Sequence, residues 1–264
     1  LSVAGALPVA ATNCLNFGNP ERPEIMAQLV EAIEGMGEAC SFFETPITGG
    51  NVSLYNETLG EPIFPTPVLG IVGVMKTAAP VTADFKGPDR TILIVGGLGD
   101  CNLTHFGGTQ YAKVILDTMW GLPPALDMDY EKRMQAAVRE MVCAGLADSV
   151  HDLSDGGLAV ALAESSFGPT ATGASIELES NLTPEFLLFH EGPSRAIVST
   201  EKPEAVADIA KRHGIAVVRA GVSMKERLVI RNRGTVLVDV GTRDLRKVWS
   251  EALESMLSRA SVTH

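Results

Sequence analysis

Apolar and polar positions alternate along this chain with two different periods, and the periods divide it into elements. In "EIMAQLVEAIEGMGEACSFF", Ile25, Leu29, Ile33, Met36, Cys40 and Phe43 recur at helical spacing, which predicts an amphipathic helix. Asn19, Pro20 and Pro23 supply its start signal. "TPVLGIVGVMK" reads as a strand. "TAAPVTADFKGPDR" is polar and Pro-rich, a boundary near residues 78 to 90. We therefore divide the chain into residues 1–85 and 86–264.

In the second part, "TILIVGG" is an uninterrupted apolar run ending in Gly-Gly, the form of a strand buried on both faces. A helix near Tyr111 to Trp120 follows, then the amphipathic helix "YEKRMQAAVREMVCAGL", stopped at Gly145. "SVHDL" reads as a short strand, and "SDGGLAVALAESS" as a turn that opens a helix. "ASIEL", "SRAIVST" and "AVVRAGV" are strands, with the helix "PEAVADIAKRHG" before the last of them. "ERLVIRN" and "GTVLVDVG" form a hairpin turning at Arg233-Gly234, and the amphipathic helix "LRKVWSEALESMLSRA" closes the chain. The fold class is mixed α/β in both parts, without a short repeat.

Composition narrows the function classes. The 264 residues are 45% hydrophobic and 20% charged, and no apolar run reaches the roughly 20 residues of a membrane helix. Net charge is −11 with no Lys/Arg run, which argues against nucleic acid as a partner. An acidic protein still binds phosphates through backbone N–H groups, helix N-termini and bridging cations. Cys14, Cys40, Cys101 and Cys143 are scattered without a CxxC, the usage of reduced thiols in a cytoplasmic protein. The opening "LSVAGALPVA" has no basic start and no initiator Met, and reads as a piece of something longer.

Four glycine-centred clusters carry the candidate chemistry. In "ATNCLNFGNP", Asn side chains stand between a strand and a helix, placed to hold a ligand or to cap the turn. In "TPITGGNVSLYNET", Gly49 and Gly50 permit close approach of an anion, and Asn51 and Ser53 alternate onto one face. An amide oxygen there suits Mg²⁺; the competing reading is a solvated loop with glycine at positive φ. "HDLSDGGLAVALAES" places Asp152 and Asp155 around a turn whose Gly156-Gly157 opens a helix. The turn presents free N–H groups to a phosphate, or Asp155 simply caps the helix. "HEGPSRAIVS" sets Glu191 and Arg195 around a turn, where they can pair. No Walker loop, Rossmann fingerprint, nucleophile elbow or HExxH occurs.

Taken in order, "TNCLNFGNPE", "TPITGGNVSLYNET", "PTPVLGIVG", "HDLSDGGLAVALAES" and "EGPSRAIVS" resemble the synthetase subunit of the formylglycinamide ribonucleotide amidotransferase (phosphoribosylformylglycinamidine synthase) family. The resemblance spans essentially the whole chain and matches the second of that subunit's two similar halves. It implies an aminoimidazole ribonucleotide synthetase-like fold: a partial N-terminal barrel-forming domain, then a C-terminal α/β domain. It implies a carbon–nitrogen ligase of purine biosynthesis in which ATP activates the amide of formylglycinamide ribonucleotide and ammonia from a glutaminase partner displaces phosphate.

By position, the family's ATP contacts fall on Asn13 and Gly50, its Mg²⁺ ligand on Asn51 and a substrate contact on Ser53; Asp152 and Asp155 become phosphate-facing. Position 13 commonly carries Asp in the family, so the amide here lacks that charge. The family's catalytic histidine belongs to the first half, and His151 lies in a different motif; no catalytic residue is expected in this chain, and activity requires the first half. The alternative role is a non-catalytic half that binds a structural nucleotide or docks. A related ATP-dependent synthetase on the same fold is a third reading, disfavoured by "GNVSLYNET".

Overall fold

The computed structural model describes residues 1–76, 80–99 and 102–260. Cys101 lies outside the described residues. The chain forms two compact units, Leu1–Ala78 and Ala79–His264. The division precedes the 85/86 boundary read from composition because Phe85 is a core residue of the second unit, 1% exposed. Its N–H bonds Ser165 O, and Thr82 O accepts from Val150 N. The Pro-rich stretch from residue 80 onward is thus part of that unit.

The first unit is a three-stranded sheet with one long helix. Strand β1 (Ala6–Asn16) is central, and after helix α1 (Pro23–Phe42) strand β2 (Ile47–Ser53) returns parallel beside it. Two short strands, β3 (Glu57–Thr58) and β4 (Glu61–Pro62), make a hairpin, and β5 (Thr66–Met75) pairs antiparallel on the other side of β1. The sheet order is β2-β1-β5. Leu15 and Phe17 pack with Ile25 and Met36 of α1, with Leu29 at their margin. Ile33, expected on the buried stripe, is 48% exposed, so α1 buries a narrower face than its periodicity predicts.

The second unit is a seven-stranded mixed sheet. Its strands are β6 (Thr91–Val95), β7 (Ser149–Asp152), β8 (Thr172–Leu178), β9 (Ala196–Thr200), β10 (Val217–Lys225), β11 (Arg227–Asn232) and β12 (Thr235–Gly241). They stand in the order β12-β11-β8-β10-β6-β9-β7. Among the described residues only β8 and β11 of this sheet pair parallel; β6 is antiparallel to both neighbours. Every residue of β6 is buried, because helices cover both faces. Ile92 and Ile94 join the core of helix α5 (Gly157–Ser165) through Leu158 and Leu162. Alternation turns Leu93 and Val95 to the other face, where helix α7 (Pro203–Arg212), itself packed on α4 (Met128–Cys143), reaches β6.

The β11–β12 hairpin turns at Arg233 and Gly234, both at positive φ. Helix α8 (Thr242–Ala260) follows. Two local departures from the sequence reading have physical causes. The helix expected over Tyr111–Trp120 ends early: α2 (Leu103–Phe106) and α3 (Gln110–Val114) are short. Asp117 takes a left-handed φ of 50°, and Trp120 Nε1 donates to Leu103 O at 2.9 Å, pulling the segment back over Gly107. A Cβ on Gly107 would lie 2.1 Å from Trp120 O. Helix α6 (Pro184–Phe189) was not anticipated; Leu187 and Leu188 bury its inner side.

Candidate functional site

Gly49 and Gly50 lie within β2, not in a loop, and neither has positive φ. The competing reading of this segment as a solvated loop with glycine at positive φ therefore does not hold. Gly50 is required for another reason. It stands opposite Asn13 in the parallel pair, and a Cβ there would come 1.9 Å from Asn13 Oδ1 and 2.5 Å from Asn13 O. The Asn13 amide thus lies directly over bare backbone. Gly49 has open space around its Cβ position. A register irregularity between Ala11 and Thr12 precedes this pair, pinned by Thr12 Oγ1 donating to Gly49 O and Thr48 Oγ1 to Ala11 O.

The next rungs are Cys14 opposite Asn51 and Asn16 opposite Ser53. The fold therefore brings Asn13, Gly50, Asn51 and Ser53 onto three of four successive rungs of two adjacent strands, although 36 residues lie between β1's Asn13 and β2's Gly50 in the chain. Strand alternation then divides them. Asn13 shares the α1 side of the sheet with Leu15, while Asn51 and Ser53 point to the opposite side. β2 ends the sheet, and among the described residues no strand pairs with its outer edge.

The asparagines of this region fall into two groups. Asn16 Nδ2 donates to Thr66 O and Cys14 O, tying β1 to β5. Asn19 Oδ1 accepts from Glu21 N before α1. Asn56 Nδ2 donates to Phe17 O and Ser53 O, and its amide also engages the Ser53 hydroxyl at 3.1–3.2 Å. These are structural amides. Asn13 and Asn51 make no side-chain hydrogen bond among the described residues, and Asn51 is exposed. Polar groups that a fold positions but does not use are the ones available to a ligand.

Mg²⁺ is usually held by one or two protein oxygens together with phosphate oxygens and water. Among the described residues no three His, Cys, Asp or Glu side chains cluster to hold a metal. The Asn51 amide oxygen fits such an ion as a contributing ligand, with phosphates and water completing the shell, not as part of a protein cage.

The "HDLSDGG" turn is arranged differently from its reading as a phosphate cradle. Gly156 N does not face solvent: it donates to Glu191 Oε1 at 2.7 Å, and Gly157 N donates to Ser154 O. Asp155, read alternatively as the cap of α5, makes no capping bond; the cap comes from Glu191. Both glycines have positive φ, and a Cβ on Gly157 would lie 2.7 Å from His190 O. Asp152 and Asp155 stay exposed on the rim.

His151 Nε2 lies 3.1 Å from Glu164 Oε2, and its Nδ1 is 2.7 Å from Asp152 O. The Asp152 carboxylate beside it raises the imidazole pKa against the opposing effect of burial, and His151 in turn lowers that of Asp152. His151 is thus committed to carboxylates of its own unit. Arg195, 5% exposed, donates to His190 O at 2.6 Å and Gly192 O at 3.1 Å, so it fastens the 190–195 loop. Glu191 and Arg195, set around one turn in the sequence, serve as cap and loop fastener, roles that their spacing does not predict. No local signal pointed to this, since Asp155 beside Gly156 offered a cap in the sequence and the acceptor arrives from 35 residues away.

Comparison with known proteins accounts for this two-unit arrangement. The family model described as AIR synthase related protein, N-terminal domain, matches residues 1–75, and its C-terminal domain counterpart matches residues 87–231. The chain belongs to the AIR synthase related family. Over 262 residues it is 40% identical to the phosphoribosylformylglycinamidine synthase subunit PurL of Moorella thermoacetica. The match covers 98% of this chain and 35% of that protein. The PurL subunit of Anaeromyxobacter dehalogenans strain 2CP-1 is 40% identical over 271 residues, with the same coverage. This AIR synthase related chain therefore spans about a third of the length of the curated relatives it matches.

Among solved structures, Thermotoga maritima PurL complexed with FGAR superposes with a TM-score of 0.73 at 22% identity, covering 93% of this chain and 40% of that one. A chain of the HypE–HypF complex superposes with a TM-score of 0.64 at 20% identity, covering 91% and 80%. At these identities the likeness establishes the AIR synthase related fold.

Proposed function

We propose that this chain is the second half of a phosphoribosylformylglycinamidine synthase synthetase subunit. The reaction is the ATP-dependent conversion of formylglycinamide ribonucleotide and ammonia to the amidine, with release of ADP and phosphate. An amide oxygen leaves poorly until it is phosphorylated, so the enzyme's work is to hold a triphosphate against the amide and to admit ammonia. Asn13 and the bare backbone at Gly50 would contact ATP, Asn51 would ligate Mg²⁺, and Ser53, whose hydroxyl also engages Asn56, would touch the substrate. Bound Mg²⁺ would neutralise phosphate charge. Asp152 and Asp155 would face phosphate through a cation, the Gly156 and Gly157 amides beside them being bonded to Glu191 and Ser154. The relatives' names and 40% identity over nearly the whole chain support the assignment.

The observation that carries the site is that two uncommitted amides flank Gly50 on the edge strand pair, Asn13 on the α1 side of the sheet and Asn51 on the other. The first half of the synthetase and a glutaminase supplying ammonia are the proposed partners, in the cytoplasm, and the chain alone is expected to turn over little. The alternative, a non-catalytic half that binds a structural nucleotide or docks, has in its favour the exposed apolar strands of the first unit.

The test uses the complete synthetase with ammonia as nitrogen source. Asn51→Ala should weaken Mg²⁺-dependent ATP binding at least about tenfold at unchanged melting temperature. Normal nucleotide affinity in that variant would remove Asn51 from the site. Lost stability with normal turnover per folded molecule would favour the structural role instead.

A further inference from the structure

Glu191 occupies a position that its own neighbourhood in the sequence does not explain. Its Oε1 accepts two backbone hydrogen bonds, from Gln110 N at 2.8 Å and Gly156 N at 2.7 Å. The first donor opens α3, 81 residues earlier in the chain; the second opens α5, 35 residues earlier. Helix α5 has no capping side chain of its own, with Gly156 as its N-cap at φ 78°. One carboxylate oxygen thus joins three loops: the 107–110 turn, the 154–157 turn and the 190–195 loop.

Packing on either side supports the join. Tyr111 stacks on Phe189 with ring centroids 4.9 Å apart, and Phe106 meets Phe186 at 4.5 Å. On the Gly157 side there is no room for a side chain between the turn and the carbonyls of Leu188 and His190. The residues that follow Glu191 wall a pocket of about 260 Å³ with Gly96, His105 and Tyr130. A charged acceptor on two amides is a stronger tie than a neutral one.

We infer that the Glu191 carboxylate is a clasp that holds these three loops together and keeps the glycine turn at Gly156 closed to external anions. An anion reaches the Gly156 amide only by displacing Glu191. This inference concerns the second unit alone and stands whether or not the proposed reaction is correct.

The experiment is amide hydrogen exchange and ¹⁵N NMR on the full chain. Glu191→Ala should speed exchange at Gly156 and Gln110 by about tenfold or more, the loss expected for a charge-assisted hydrogen bond. Glu191→Gln keeps an acceptor oxygen and should speed it by a smaller factor. Pyrophosphate should shift the Gly156 resonance in Glu191→Ala and leave it unmoved in the unaltered protein. Unchanged exchange at both amides in Glu191→Ala would overturn the inference, as would a Gly156 shift by pyrophosphate in the unaltered protein at the same concentration. If Glu191→Ala does not fold, Glu191→Gln decides: exchange faster at these two amides than elsewhere in the unit supports the clasp, and exchange identical to the unaltered protein refutes it.

Discussion

Two strands of similar composition meet opposite fates in this molecule. β6 is "TILIV", and every one of its residues is buried between helices on both faces. β5 is "TPVLGIVGVM", equally apolar, yet Val68, Val72 and Val74 are 52–59% exposed and Leu69 and Ile71 are 37–40% exposed. Leu7, Ile47 and Val52 on the neighbouring strands are exposed as well. The difference lies in what is available to cover them. The second unit has helices for both sides of its sheet, while α1 serves only part of the first. Exposed apolar surface on this scale marks an interaction site. It fits the proposal that the first unit completes its core against the other half of a longer synthetase.

The contrast can be broken by substitution, beginning where the effect is largest. Ile94→Ala in β6 should destabilise the second unit by about 2–5 kcal/mol, since the site is closed on all sides; chemical denaturation measures it. Gly50→Ala should cost about 1–3 kcal/mol through overpacking against Asn13 and, in the complete synthetase, abolish most ATP-dependent turnover. Full turnover in that variant would show that Asn13 need not lie where it does. Val72→Ser in β5 should change the stability of the isolated chain by no more than about 0.5 kcal/mol. The same substitution should weaken association with the first half of the synthetase, read by size-exclusion chromatography of the mixture.

A smaller effect tests the interior of the second unit. The raised pKa of His151 means that its pairing with Asp152 and Glu164 stabilises the fold fully below the imidazole's ordinary pKa of about 6.5. That contribution is lost as pH rises through the higher folded value. Asp152, with its lowered pKa, contributes above its ordinary range and loses the contribution as pH falls through the folded value. Because Asp152 is largely exposed, the change should be under about 1 kcal/mol. His151→Gln should flatten the urea midpoint between pH 6 and 8; an unaltered slope would show that the pairing adds nothing.

Much of the fold was legible because strong periodicity leaves little choice. α4, α7 and α8, the buried β6 and the Arg233-Gly234 hairpin each appear where the pattern and turn residues put them. What was illegible depended on partners far along the chain. Nothing local in "YAKVILDTMW" announces that Trp120 folds back onto Leu103 and cuts the helix short. Nothing in "SDGG" announces that its cap arrives from Glu191. At the candidate site, residue types pointed to ligand chemistry, but only the tertiary hydrogen bonds separated Asn13 and Asn51 from Asn16, Asn19 and Asn56, whose amides are spent on backbone.

By itself, then, the sequence determined most of the long elements, because apolar period and turn chemistry are local properties that each segment carries with it. It also determined which family's motifs the chain bears. The tertiary structure alone decided which polar groups remain unspent, which glycine is bare for lack of room and which loop receives Glu191. Those outcomes are contacts between residues tens of positions apart, and they exist only once β1, β2, α3 and α5 have been brought side by side.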